Sequence, residues 1–206
     1  IVGTIVARYE IFPGICSELL DIVLEKYKLL NILHIISSGL NLIRNPERSE
    51  KDMENLVKYF PNSSLSYVVR AHYYRSIDEN KALQDCETAL KLEQYKPSQI
   101  VADVLSLQGL LTQYTDPCKS LAYFTKAIEI IKNLKGYRNN YYNRGCVYLQ
   151  LEKMDKAAED FDKAVEIQPT DYQALLNGAT AKLACNRFQE AFEMVDRAIH
   201  VNPKYP

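Results

Sequence analysis

Residues Tyr141–Pro169, YYNRGCVYLQLEKMDKAAEDFDKAVEIQP, decide the fold. Along them Tyr141, Gly145, Tyr148, Ala157, Phe161, Ala164 and Pro169 stand at spacings of 4, 3, 9, 4, 3 and 5. Two helices packed as an antiparallel hairpin account for these residue types. Gly145 and Ala157 are small where the two backbones are expected to approach most closely. Tyr148, Phe161 and Ala164 form an apolar stripe at three- and four-residue spacing that fills the space between the helices. Pro169 ends the second helix, because proline lacks an N–H and clashes with the preceding turn. One hairpin cannot bury such a stripe alone, so neighbours are implied.

The pattern recurs. Thirty-four residues on, Ala191, Val195, Ala198 and Pro203 repeat Ala157, Phe161, Ala164 and Pro169, with Leu175 at the aromatic position and Ala179 at the glycine position. Upstream, Ser120, Phe124 and Ala127 follow Gly109. Before them Ala82, Cys86 and Ala89 follow Ala71 and Tyr74, and Ser49, Met53, Leu56 and Pro61 form the weakest copy. The last anchors, Leu56, Ala89, Ala127, Ala164 and Ala198, step by 33, 38, 37 and 34 residues.

The series aromatic, Gly, Tyr, Ala, Phe, Ala, Pro at this period resembles the tetratricopeptide repeat family over residues 30–206. Arg144 departs from it, standing where the family usually has Leu. The resemblance implies an all-α fold: a right-handed superhelical α-solenoid of about five helix hairpins, at 30–63, 64–101, 102–137, 138–171 and 172–205. Residues 1–29 read as an N-terminal helical hairpin or degenerate repeat.

In the first repeat, Asn45-Pro46 is expected to end the first helix and Ser49 to cap the second. In the second, the hairpin turn falls at Ser76-Ile77-Asp78 and the second helix runs to Tyr95 before Lys96-Pro97 breaks it. Asp116-Pro117 starts the second helix of the third repeat, as an N-cap aspartate followed by proline at the first helical position. Repeats two and three have one residue fewer between their glycine-site and alanine-site anchors than repeat four, so tighter turns are expected there. Gly136 marks the loop before repeat four. Asn62-Ser63-Ser64 fits a glycosylation pattern but reads as an inter-repeat turn.

The formal charge is −1, with no Lys/Arg run, which argues against nucleic acid or a membrane surface as partner. The apolar region Ile15–Ile36 is broken by Glu18, Asp21, Glu25, Lys26 and Lys28, too charged to insert in a membrane. Cys16, Cys86, Cys118, Cys146 and Cys185 are scattered and read as small buried thiols in a reducing, cytoplasmic compartment. His34, His72 and His200 lie far apart, so neither metal nor cofactor is expected. A start at Ile1 and an end just past a repeat boundary read as an excerpt of a longer chain.

No catalytic constellation emerges: there is no Gly-rich phosphate loop, and no Ser or Cys nucleophile stands near a histidine. Glu159, Asp160 and Asp162 read as solvated charges on the outer face of a second helix. The chain is expected not to be an enzyme.

By the family's register, the first helix of each repeat lines a concave groove. Repeat four supplies Asn139, Tyr142, Asn143, Cys146, Leu149 and Gln150, and repeat five supplies Gln173, Leu176, Asn177, Thr180, Leu183 and Ala184. Repeat three supplies Asp103, Ser106, Leu107, Leu110, Gln113 and Tyr114. Repeat two supplies Leu65, Val68, Val69, His72, Arg75 and Ser76, and repeat one adds Asn31, His34 and Asn41. This surface is rich in amides, which offer donors and acceptors to the backbone of an extended ligand. Asn143 and Asn177 share one position in successive repeats, resembling an asparagine ladder that ends upstream at Leu107. The family's carboxylate clamp for chaperone C-terminal tails needs Lys and Asn on one first helix and Lys and Arg on the third; Ser106 and Leu110 stand in the first two places and Gln173 and Asn177 in the last two, so such tails are not expected partners. The expected function is a protein-interaction module that binds an extended segment of a partner. The alternatives are a scaffold subunit of a large assembly that uses convex and end surfaces, and the substrate-binding or regulatory arm of an enzyme whose catalytic domain lies elsewhere.

Overall fold

The computed structural model describes residues 46–132 and 138–202. The expected N-terminal hairpin, the first helix of repeat one with Asn31, His34 and Asn41, Cys16 and Gly136 lie outside the described residues. Among the described residues there are nine helices and no strand, so the fold class is an all-α helical repeat. None of these helices is long and apolar enough to cross a membrane.

The chain divides into two compact units, one ending at Leu92 and the other beginning at Glu93. The first holds α1 (Pro46–Tyr59), α2 (Ser64–Tyr74) and α3 (Glu79–Leu92). Met53, Leu56, Val69, Ala71, Tyr74, Ala82, Cys86 and Ala89 are buried there; of the weak first copy, Met53 and Leu56 lie inside and Pro61 is exposed. Ser49, however, lies within α1, which starts at Pro46. Proline suits a first helical position, where its missing N–H costs no hydrogen bond. The break expected after Tyr95 comes earlier: α3 ends at Leu92, and Gln94 and Tyr95 take left-handed backbone with φ of 53° and 54°.

The second unit holds α4 (Gln99–Thr112), α5 (Pro117–Ile131), α6 (Arg138–Gln150), α7 (Met154–Ile167), α8 (Tyr172–Ala184) and α9 (Phe188–Val201). Consecutive helices pack against one another. Phe124, Ala127, Ala157, Phe161, Ala164, Leu175, Ala179, Ala191 and Ala198 are buried, as the spacing requires. The glycine site has a more specific role than backbone approach. A Cβ on Gly145 would lie 3.0 Å from two ring carbons of Phe161, and one on Gly109 would lie 2.8 Å from the ring of Phe124. The missing side chain is space for the aromatic anchor. Close helix approach is also present, since the Ser120 hydroxyl donates to the Gly109 carbonyl at 2.7 Å.

Turns in the two kinds of repeat differ in chemistry, and those of repeats two and three are not the tighter ones. In repeats four and five the first helix runs five residues past the small residue, and the turns close with left-handed Glu152 (φ 56°) and Asn186 (φ 59°). The amides of Lys153 and Arg187 then reach back to the carbonyls of Tyr148 and Lys182. In repeats two and three the first helix stops three residues past the small residue, at Tyr74 and Thr112. The turn is one residue longer and ends in an aspartate cap: Asp78 accepts from the amide of Lys81 at 3.0 Å, and Asp116 from that of Lys119 at 3.1 Å. The shorter anchor spacing thus comes from a shorter helix.

Candidate protein-binding face and the ion pairs beneath it

Helices α6 and α8 are the first helices of successive hairpins, and they come within hydrogen-bonding reach. The amide nitrogen of Asn177 donates to the hydroxyl of Tyr142 at 3.2 Å and lies 3.8 Å from the Cys146 sulfur. The Tyr142 ring stands edge-on to Phe161, with centroids 5.8 Å apart, so the aromatic anchor of the hairpin fixes the base of this polar cluster. Burial pushes the Tyr142 hydroxyl up to about 12 and raises the Cys146 thiol. Both are therefore held in their neutral forms at pH 7. The cluster is built for hydrogen bonding.

The remaining expected groove residues divide by repeat. Asn143 is half-buried beside Tyr142, and Asn139, Gln150, Gln173 and Thr180 are exposed on the same two helices. The Thr180 hydroxyl donates to the Leu176 carbonyl. In repeat three, Ser106 donates to its own helix at Ala102. Gln113 and Tyr114 lie in the turn beyond α4, because that helix stops at Thr112. Leu107, expected on the groove, is buried in the core. In the first unit His72 and Arg75 are exposed, whereas Val68 and Val69, also expected on the groove, are buried. Among the expected apolar groove residues Leu65, Leu110, Leu149 and Leu176 are half-buried and Leu183 is exposed, so Val68, Val69 and Leu107 are the ones that sink into the core.

Asp160 and Asp162, expected to be solvated, are both paired. Asp160 is buried, not solvated: Arg144 donates to it twice, at 2.8 and 2.7 Å, and once to Thr125 on α5 at 3.1 Å. Burial pushes the Asp160 carboxyl up and the Arg144 guanidinium pulls it back. Arg70 and Asp85 form the same two-pronged pair in the first unit, at 2.8 and 2.7 Å. Each arginine directly precedes a small-residue site (Ala71, Gly145) and each aspartate directly precedes the next anchor (Cys86, Phe161). That repetition was the signal available in the sequence. Asp162, also read as solvated, takes the buried Lys182 ammonium at 3.0 Å, and Lys182 reaches Glu190 at 2.9 Å. Of the three acids only Glu159 is a plain exposed charge. The thiols likewise differ: Cys86 is buried and pushed up to about 12, Cys146 and Cys185 are half-buried, and Cys118 is exposed.

Arg187 and Lys182 hold the Glu190 carboxyl at about 2, against an ordinary 4.5. A folded value below the unfolded one gives stability that is complete above 4.5 and lost as pH falls toward 2. The difference in urea midpoint between wild type and Glu190→Gln is therefore expected to shrink steadily over that interval. A difference that is flat or grows with acidification contradicts the assignment.

Residues 140–171 match the model of the tetratricopeptide repeat. Mouse sperm-associated antigen 1 is 28% identical over 85 residues, which is 41% of this chain and 9% of that protein, so the match spans about a tenth of the relative's length. Pseudomonas aeruginosa pilF superposes with a TM-score of 0.70 at 18% identity, covering 84% of this chain and 76% of that one. YrrB, described as a tetratricopeptide repeat protein with an unusual peptide-binding site, superposes with a TM-score of 0.61 at 20% identity over 92% of this chain and 95% of that one. Residues 140–171 are a tetratricopeptide repeat, and the repeated anchors, the helix hairpins and these likenesses agree on an all-α helical repeat fold.

Proposed function

We propose that this chain is a non-enzymatic member of a class of protein–protein interaction modules, and that it binds an extended segment of a partner protein along α6 and α8. One observation carries the reading: the Tyr142–Asn177–Cys146 cluster joins the two helices, and exposed or half-buried amides flank it. Amides supply donors and acceptors to a peptide backbone without demanding charge, and Leu149 and Leu176 between them suit apolar side chains. YrrB, described by its peptide-binding site, shares the fold and so supports the class of ligand.

The test is cross-linked capture of partners from lysate by wild type and by the Asn143→Ala/Asn177→Ala double variant, at matched thermal midpoints. Loss of one partner from the double variant is the expected result. An unchanged set of partners contradicts binding on this face.

A further inference from the structure

The face along α6 and α8 is kept free of charge by the packing behind it. Its expected residues are amides, a tyrosine, a cysteine, a threonine and apolar side chains. Arg138 opens α6 and stands outside the expected face. The other two cations of these helices, Arg144 and Lys182, are both taken by carboxylates of neighbouring helices. Arg144 holds Asp160 of α7 through two hydrogen bonds. Lys182 is 5% exposed and lies 3.0 Å from Asp162 of α7 and 2.9 Å from Glu190 of α9. Asp171, which caps α8, is buried and accepts from the Ala174 amide at 3.3 Å. Burial holds Tyr142 and Cys146 in their neutral forms. Upstream, α4 adds one carboxylate to the expected face, Asp103, which accepts from Gln99 of its own helix at 3.0 Å. Asn143 is half-buried, and its side chain makes no hydrogen bond among the described residues. A half-buried amide with open donor and acceptor sites matches the neutral N–H and C=O groups of a peptide backbone.

A charged side chain brought against this surface loses water and finds no counter-ion, which makes its burial costly. An acidic one also meets Asp103 at the α4 end, a like charge. Two adjacent helices, each about 10 Å across, present about 20 Å of surface, which roughly six residues of extended chain span. Granted that this face binds an extended segment, we propose that the segment is uncharged over about six residues, held through its backbone and through polar or apolar side chains. The charged residues of the partner lie outside that stretch. Selectivity then comes from exclusion. An average chain is about a quarter charged, so most six-residue stretches carry at least one Asp, Glu, Lys or Arg and are turned away.

The probe is a library of random heptamers displayed between uncharged flanks, selected on the full chain and counter-selected on the Asn143→Ala/Asn177→Ala double variant. Heptamers that require the two asparagines are expected to be depleted about threefold or more in Asp, Glu, Lys and Arg against the unselected library. Their affinity is expected to change by less than about twofold between about 0.05 and 0.5 M NaCl, since no ion pair is there to be screened. Gln173→Lys/Thr180→Lys, at two exposed positions of α8, is expected to bring Asp and Glu into the selected pool. Asparagine-dependent heptamers rich in charge of either sign, or an affinity that falls about tenfold over that range of salt, overturn the inference and leave peptide binding on this face standing. Heptamers bound equally by wild type and the double variant, a pool that the two lysines leave unchanged, or no heptamer bound at all defeat the peptide-binding reading itself, and the uncharged ligand with it.

Discussion

Arg144→Met should lower the unfolding free energy by about 3 kcal/mol, near the lower end of what breaking a buried ion pair costs. The reason lies in what remains. Asp160 is buried and loses both guanidinium hydrogen bonds, leaving a charge that water does not reach. Protonation relieves it, so the deficit should ease as pH falls. The complementary variant Arg144→Leu/Asp160→Met should regain stability to within about 1 kcal/mol of wild type, because apolar replacement of a whole buried pair is often neutral. Repeat five already contains such a solution, with Gly178 and Met194 at the corresponding positions and the Met194 methyl filling the space above the glycine. Urea midpoints of the three proteins decide the matter. A single variant no worse than a surface substitution, or a double variant worse than the single, would contradict the pairing.

Phe161→Ala should cost about 3–5 kcal/mol, as expected for truncating a buried aromatic side chain. Its ring fills the space left by Gly145 and stands edge-on to Tyr142, so the packing of α7 against α6 is lost with it. Phe192→Ala, which removes the same side chain from an exposed position, should shift stability by no more than about 0.5 kcal/mol. Equal effects at the two positions, read from thermal or urea unfolding, would refute the assignment of core and surface.

Much of the fold is legible in the sequence, for a physical reason. Burial of one stripe per helix imposes a period, and a period survives in the order of residues: Ala157, Phe161 and Ala164 identify the inward face of α7, and the same three sites recur in α3, α5 and α9. Asp116-Pro117 is legible because capping is local chemistry. What escaped depends on approach between helices. Asp160 follows Glu159 and precedes Phe161 and Asp162, and nothing along α7 separates a paired carboxylate from a solvated one. The recurrence of the Arg70 and Asp85 placement at Arg144 and Asp160 hints at it, and the reach of Arg144 from α6 shows it. Val68, Val69 and Leu107 are buried where the register expects an accessible side chain, because a family position fixes the direction of a side chain and not whether a neighbour covers it. Gln113 and Tyr114 leave the helix because α4 stops at Thr112, giving way to an aspartate-capped turn. The Tyr142–Asn177 hydrogen bond, 35 residues apart, needed the stacked hairpins to be seen.

The central claim is that a partner segment lies along α6 and α8. The direct measurement places a photo-cross-linking amino acid singly at Gln150, Gln173 or Thr180, exposed on those helices, and at Glu159 or Lys163, exposed on α7. Mass spectrometry then maps which positions form adducts with a captured partner. Adducts from the first three positions to one contiguous stretch of the partner, and none from the α7 pair, are the expected result. Adducts from Glu159 and Lys163 with silence at Gln150, Gln173 and Thr180 would contradict it and assign binding to the outer surface of the repeats.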